Sequence, residues 1–269
     1  VLPETAIPGI HGRDEMRQNP VLQPLFELAK LHKLSIVAGC NEYKLFPPGK
    51  QPSASARPYG DAWIEIYNSL VVIESDRVQT YQKGKLVPFV ERSPFLEQLT
   101  FLKEMNIDLG GGFGNCGLPD SVYTPQIGKE KIVPMICYES IFGDYVRKFV
   151  SKGGKIGIIV TNDGWWKQSS GYLQHAQYSV LRAVETRRQI ARSANTGKSL
   201  YVDHLGNILQ FTEGWKPAVI DHELRLYDAL TFYVKVGNWL GFSSVLIIAI
   251  VFLWVLSSNF PQEKFRNGG

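Results

Sequence analysis

Apolar residues along this chain follow three rhythms. Over residues 22–33 they recur at helical spacing, at Leu22, Leu25, Phe26 and Ala29, which predicts an amphipathic helix. Pro24 falls in its first turn, where a missing N–H costs little. Helices are also expected over residues 95–105, 140–151 and 172–188, the second of them closed by Gly153-Gly154. Short apolar runs at residues 34–39, 132–137, 156–161 and 190–194 predict buried strands. Residues 63–74 alternate enough for one or two strands, with Asn68-Ser69 as a possible turn. Residues 78–81 continue that sheet, and 199–202 with 208–211 predict a hairpin. Residues 1–8 read as the end of a buried strand running into a loop with two prolines. Residues 41–60 read as an exposed loop, and the glycine-rich stretch 108–119 as a mobile one. Strands alternate with helices, yet several strands follow one another directly, which suits a layered α/β sandwich with a mixed sheet.

The third rhythm is no rhythm at all. Residues 239–256 carry no charge, and 245–256 are uniformly apolar. A run of this length approaches the roughly 20 residues a bilayer span needs. Trp239 and Trp254 lie toward its ends, where indole rings favour the membrane interface. Lys264 and Arg266 follow it and place the C-terminus on the cytoplasmic side, with the main domain outside. The organisation expected is a main domain over residues 1–235, a transmembrane helix over 236–258 and a short cytoplasmic tail over 259–269. The sequence opens on Val1 with a segment resembling the end of a strand, so a fragment is expected, with material N-terminal to it missing.

Composition narrows the chemistry. A net charge of +4 over 269 residues is too small and too scattered to argue for nucleic acid. Three cysteines, Cys40, Cys116 and Cys137, stand far apart without CxxC or His-rich spacing, so neither a zinc site nor a disulfide framework is expected. Cys137 is the informative one. It ends the apolar strand in Pro134-Met135-Ile136-Cys137-Tyr138-Glu139, with a helix close behind. Helix N-terminal amides beside such a residue lower a thiol pKa and can hold an oxyanion. A thiol nucleophile also needs a base and an oxyanion donor. Glu4 and Lys83, each at a strand end, can supply them, although either alone reads as a solvated charge. Cys40 reads as core. Cys116 falls in the glycine-rich segment, a possible lid, with no catalytic role for its thiol. His175 reads as a structural histidine on its helix.

Three stretches in this order, Pro3-Glu4-Thr5-Ala6, Lys83-Gly84-Lys85-Leu86-Val87-Pro88-Phe89-Val90-Glu91 and Ile136-Cys137-Tyr138-Glu139, resemble the nitrilase superfamily. The resemblance implies an αββα sandwich and a Glu-Lys-Cys triad. Carried over by position, Glu4 is the general base, Lys83 supports the oxyanion and Cys137 is the nucleophile. Glu91 positions the lysine, the Tyr138 amide donates to the oxyanion and Glu139 supports the site. Lys85 stands where relatives often carry histidine, so Lys83 is preferred. Within the superfamily the chain is most similar to the apolipoprotein N-acyltransferase family. The features are Leu86-Val87-Pro88-Phe89, Thr161-Asn162-Asp163-Gly164-Trp165-Trp166, Arg182-Ala183-Val184-Glu185-Thr186-Arg187-Arg188 and Gly237-Asn238-Trp239. Val90 departs from the glycine usual between Phe and Glu.

That resemblance implies ping-pong acyl transfer through a cysteine thioester. The donor is a phospholipid, with phosphatidylethanolamine expected. The acceptor is the α-amino group of a diacylglyceryl-cysteine at a bacterial lipoprotein N-terminus. Trp165 and Trp166 are candidates to line the acyl entrance. No metal or organic cofactor is implied, and the location implied is the outer face of a bacterial inner membrane. The alternatives are a membrane-anchored amidase acting on small amides, and a lipid- or lipoprotein-binding domain on a decayed scaffold; the complete set of Glu4, Lys83, Glu91 and Cys137 argues against decay.

Overall fold

The computed structural model describes residues 1–92 and 115–258. Two sheets meet face to face. The first has order β1-β2-β4-β3, with β5 also on β4. Its strands are β1 (Ile10–Gly12), β2 (Ile36–Phe46), β3 (Arg57–Tyr59), β4 (Ala62–Ile73) and β5 (Val78–Gln82). The second has order β11-β10-β9-β8-β7-β6. Its strands are β6 (Gln126–Ile127), β7 (Glu130–Ile136), β8 (Ile156–Asn162), β9 (Ile190–Asn195), β10 (Leu200–Val202) and β11 (Ile208–Phe211). Strands β7, β8 and β9 run parallel at its centre. The αββα layering is therefore the one expected.

The alternation of side chains explains the layers. Ile36, Ala38, Cys40, Val71 and Ile73 turn to one face of the first sheet and pack on Phe26 and Ala29 of α1 (Gln23–His32). Val37, Leu70 and Val72 turn to the other face and join Ile132, Met135 and Ile159 of the second sheet. Helices α2 (Gly143–Ser151) and α3 (Gly171–Thr186) cover the outer face of that second sheet. Each fully buried aliphatic side chain in these layers stabilises the fold by about 1.5–3 kcal/mol before entropy is counted.

Four local expectations are corrected. Residues 1–8 form no strand. They run beside β2 through Leu2 N to Val37 O, Gly39 N to Pro3 O and Ile7 N to Gly39 O, and turn at Thr5, whose φ is 53°. Pro3 and Pro8 lack the N–H groups a ladder needs. Strand β2 continues to Phe46 through the expected loop, because β4 pairs with it along its full length, from Ile36↔Ile73 to Phe46↔Trp63. Asn68-Ser69 is not a turn: both residues are buried within β4, paired with β2 on one side and, at Ser69, β5 on the other. The helix expected from residue 140 is a 3-10 turn over Cys137–Ile141, a break at Phe142 and then α2. The helix expected over 95–105 lies outside the described residues, as do 108–114 and the tail with Lys264 and Arg266.

Residues 212–231 hold to the domain without regular structure. Buried Arg188 anchors their end, donating to Ala229 O at 2.8 Å and to Gly154 O at 2.9 Å. The chain then forms α4 (Phe232–Val236), capped by Thr231 and seated by the buried Val234 against α2 and α3. Helix α5 (Trp239–Ser258) follows, 20 residues with no side chain buried. Its length, about 30 Å at 1.5 Å per residue, and its composition are enough to cross a membrane.

Candidate active site

The apolar run of β7 stops at Cys137, whose φ of 50° lies in the left-handed region. For a side-chain-bearing residue this costs about 1–2 kcal/mol, so the surroundings must impose it. Glu139 does much of this work. Its Oε2 accepts from Ile136 N at 2.8 Å. Its Oε1 accepts from Gly84 N at 2.7 Å, from Lys85 N at 3.3 Å and from Tyr81 Oη at 2.7 Å. One buried carboxylate thus ties the cysteine turn to the loop that carries Lys83. Burial pushes Glu139 up to about 7 against the pull of these donors.

Glu4 reaches the same point from the other sheet. Gly39 makes room for it: a Cβ there would lie 2.5 Å from Thr5 N and would collide with Glu4 Cα. Glu4 Oε2 accepts from Asn162 N at 2.8 Å, and Oε1 from Asn68 Nδ2 at 2.7 Å. Lys83 is 1% exposed. Its Nζ donates to Glu91 Oε1 at 2.7 Å and to Glu4 Oε1 at 3.3 Å. Asn68 also donates to Glu91 Oε1, at 2.9 Å, and Val87 N donates to Glu91 Oε2 at 2.7 Å. Burial alone would lower the Lys83 pKa. The charges of Glu4, Cys137 and Glu91 outweigh burial and raise it, so the ammonium is fixed.

Burial, and then the charge of Glu4, push the Cys137 thiol up to about 12, with Lys83 pulling the other way. A thiolate therefore does not stand ready at neutral pH. Two carboxylates and one ammonium give this cluster a net charge of −1. Losing the thiol proton to water would make it −2 in a poorly solvated place. Passing that proton to Glu4 keeps it at −1. Charge balance therefore favours passing the thiol proton to Glu4 over losing it to water.

Cys137 opens into a cavity of about 400 Å³, lined by Glu4, Lys83 and Glu91 on one side and by Tyr138, Trp165 and Trp166 on another. A family model described as carbon-nitrogen hydrolase matches residues 1–229, which hold this whole cluster. The chain belongs to the carbon-nitrogen hydrolase family. It is 32% identical to an apolipoprotein N-acyltransferase of Chlorobaculum tepidum over 87% of this chain and 44% of that protein. It is 35% identical to the apolipoprotein N-acyltransferase of Thermotoga maritima, over 70% of this chain and 37% of the relative. The chain thus spans less than half the length of these curated relatives. Among solved structures, a carbon-nitrogen hydrolase from Helicobacter pylori G27 superposes with a TM-score of 0.51 at 15% identity, over 75% of this chain and 65% of that one. The NitN amidase of Nesterenkonia sp. AN1 does so with a TM-score of 0.51 at 15% identity, over 84% and 77%. These two share the fold.

The expected residues divide by position. Glu4, Lys83, Glu91, Cys137 and Tyr138 come together at the cavity. Glu139 stands behind the cysteine turn rather than on the cavity wall. Trp165 and Trp166 line the cavity yet remain 55% and 46% exposed, so they belong to its rim and not to the core. Lys85 points away, its ammonium over the rings of Phe142 and Tyr145. Cys40 is core. Cys116 is buried on the cavity wall, its thiol pushed up to about 11 by burial and then by Glu91. His175 is the hydrogen-bonded structural histidine expected, on α3 at the cavity edge. The sequence did not single out Asn68, which bridges the two carboxylates, or the buried Asp163 and Arg192 that His175 joins. A polar Asn68 beside the apolar residues 70–73 was the available signal.

Proposed function

We propose that this chain catalyses transfer of a fatty acyl chain from a phospholipid to the α-amino group of the diacylglyceryl-cysteine of a bacterial apolipoprotein. The observation that carries it is the presence on one chain of a Glu4–Lys83–Cys137 cluster at one cavity and an apolar helix of membrane-crossing length with no side chain buried. The similarity to curated apolipoprotein N-acyltransferases supports the same reading.

In this scheme Glu4 takes the Cys137 proton as sulfur attacks the ester carbonyl of the donor, phosphatidylethanolamine. Lys83 and the Tyr138 N–H hold the oxyanion. The C–O bond breaks, lysophospholipid leaves with a proton returned by Glu4, and a thioester remains. The amine of the acceptor then attacks the thioester. An amide forms, the C–S bond breaks and the thiol regains its proton. Glu91 and Asn68 hold Lys83 and Glu4 in place, and Glu139 fixes the nucleophile turn. Trp165 and Trp166 guide the acyl chain. Exclusion of water by the apolar walls lets transfer outrun hydrolysis. Residues 1–235 form the catalytic domain, 236–258 cross the inner membrane and 259–269 lie in the cytoplasm. The catalytic domain then stands on the outer face, where both lipid substrates are held in two dimensions. The scheme needs no metal or organic cofactor.

The test is a transfer assay with the full chain in detergent, phosphatidylethanolamine and a synthetic diacylglyceryl-cysteine peptide. The expected product is heavier by one acyl chain, stable to hydroxylamine as an amide, and absent with Cys137→Ala. Hydrolysis of small amides without any lipopeptide product would replace this reading with that of an anchored amidase.

A further inference from the structure

A buried polar chain lies beneath the nucleophile turn, and the scheme above gives it no task. His175, on α3, is 4% exposed. Its Nδ1 lies 2.8 Å from Asp163 Oδ1. The other Asp163 oxygen accepts from Arg192 Nη2 at 2.7 Å, with both side chains sealed from solvent. Thr161 Oγ1 donates to Asp163 at 3.2 Å. The far ring nitrogen, Nε2, lies 3.1 Å from the backbone carbonyl of Cys137 and 3.2 Å from Ser140 Oγ. Ser140 Oγ itself donates to that carbonyl at 2.8 Å. The Cys137 carbonyl and the Asp163 carboxylate can both only accept, so a ring that makes both contacts donates from Nε2 to the carbonyl and from Nδ1 to Asp163, with a proton on each nitrogen. Burial would raise the Asp163 pKa, but His175 and Arg192 outweigh burial and hold it below the usual carboxylate range.

The Cys137 carbonyl and the Tyr138 N–H belong to one peptide unit. That unit is planar and trans, so its C=O and N–H point in opposite directions, and fixing one aims the other. Donors on the carbonyl also polarise the unit and strengthen its N–H. At Cys137 the backbone leaves the extended conformation of β7 and the 3-10 turn begins, so side chains are well placed to set this plane.

We infer that the Arg192–Asp163–His175 chain aims the Tyr138 N–H at the oxyanion, with His175 a positioning residue acting through the Cys137 carbonyl. This rests on Cys137 being the acyl-transfer nucleophile, and it is independent of which ester is the natural donor.

The test measures the burst of nitrophenolate from 4-nitrophenyl butyrate with the full chain in detergent, and compares His175→Asn with His175→Gln. Glutamine keeps an amide N–H near the position of Nε2, while asparagine reaches only that of Nδ1. The expected result for His175→Asn is a burst slowed by about 10–100-fold at unchanged half-saturating ester, as for a misaimed oxyanion donor. Iodoacetamide, which alkylates Cys137 without forming an oxyanion, should react at nearly the parent rate. His175→Gln should recover most of the burst rate. The inference is overturned if His175→Asn keeps the parent burst rate, if the two variants slow alike, or if alkylation falls in step with the burst. A parent that gives no burst overturns it together with the nucleophile assignment. A parent that bursts with the nitrophenyl ester but forms no adduct from phosphatidylethanolamine loses the phospholipid reading, while a slow His175→Asn burst still upholds the positioning role.

Discussion

Lys83 and α5 stand at opposite ends of the burial scale, and each is on the side opposite to the one its chemistry prefers. Lys83 is sealed inside with Glu4 and Glu91, whereas α5 carries Leu, Ile, Val and Phe side chains 40–75% exposed. Soluble folds rarely bury an ammonium and rarely expose a long apolar helix. The two exceptions are sustained differently. The buried charges persist because each is paired and hydrogen-bonded: Glu4 accepts from three groups and Glu91 from three. The exposed helix meets the domain at its first turn, where Trp239 lies edge-to-face with Phe232, and buries no side chain; the compensation proposed for the rest is a different solvent, the lipid bilayer. Polar order is thus built inside the protein, and apolar order is left to its surroundings.

The largest effect is expected at Lys83. Lys83→Met leaves Glu4 and Glu91 facing each other without their ammonium. Acyl transfer should fall by at least about 10³-fold, and urea unfolding should lose about 3–5 kcal/mol, since breaking a buried pair strands its partners. A variant that keeps its stability would show the cluster to be far better solvated than its burial implies. Gly39→Ala tests how Glu4 is delivered. The added methyl meets the backbone of Glu4 and Thr5, so activity should drop by about 10²-fold and stability by about 1–3 kcal/mol. Equal activity would mean that the turn at Thr5 gives way freely.

On the apolar side, Ile247→Lys with Val251→Lys should move the chain out of floated liposomes into the soluble fraction. Each lysine near a helix centre costs about 2.5–3.5 kcal/mol of insertion, while the domain itself should melt unchanged. Continued flotation would remove α5 as the anchor.

Glu139 sharpens the comparison through pH. Its carboxyl sits at about 7 in the fold against an ordinary 4.5. A raised carboxyl pKa favours the neutral form in the folded state. The stability it contributes is full below pH 4.5 and is lost as pH rises through 7, a swing on the order of 3 kcal/mol. Glu139→Gln cannot titrate, and its NH₂ must face one of the donors that the carboxylate now accepts from. It should be less stable than the parent, with the gap narrowing between about pH 4.5 and 7. A constant gap across that range would show that Glu139 does not titrate there. The smallest effect belongs to Lys85→Ala. Losing its contacts with two rings should cost about 0.5–1 kcal/mol and leave acyl transfer nearly unchanged. A large loss of transfer would exchange the assignments of Lys83 and Lys85.

Periodicity disclosed the elements whose partners are regular. The α1 stripe, the apolar runs of β7 and β8 and the long uncharged α5 were all legible, because one face or every face of each is uniform. Periodicity failed where a partner overrode local composition. Strand β2 runs on through Asn41, Glu42 and Lys44 because β4 supplies its hydrogen bonds, and Asn68 looks like a turn residue only while β2 and β5 are out of view. The site was legible through resemblance more than through its residues. Glu4, Lys83 and Cys137 are 79 and 54 positions apart in consecutive pairs, and no local pattern says that two sheets bring them together. His175 was legible as a structural histidine, but its link through Asp163 to the Cys137 carbonyl was not, since its target is a backbone group.

The central claim is that a lipid ester reaches Cys137 and leaves its acyl chain there. Intact-mass spectrometry of the chain after incubation with phosphatidylethanolamine tests it most directly, with Cys137→Ala alongside. The expected result is a mass gain of one acyl chain, removed by hydroxylamine and missing from Cys137→Ala. A gain that survives hydroxylamine, or one that appears equally in Cys137→Ala, would contradict it.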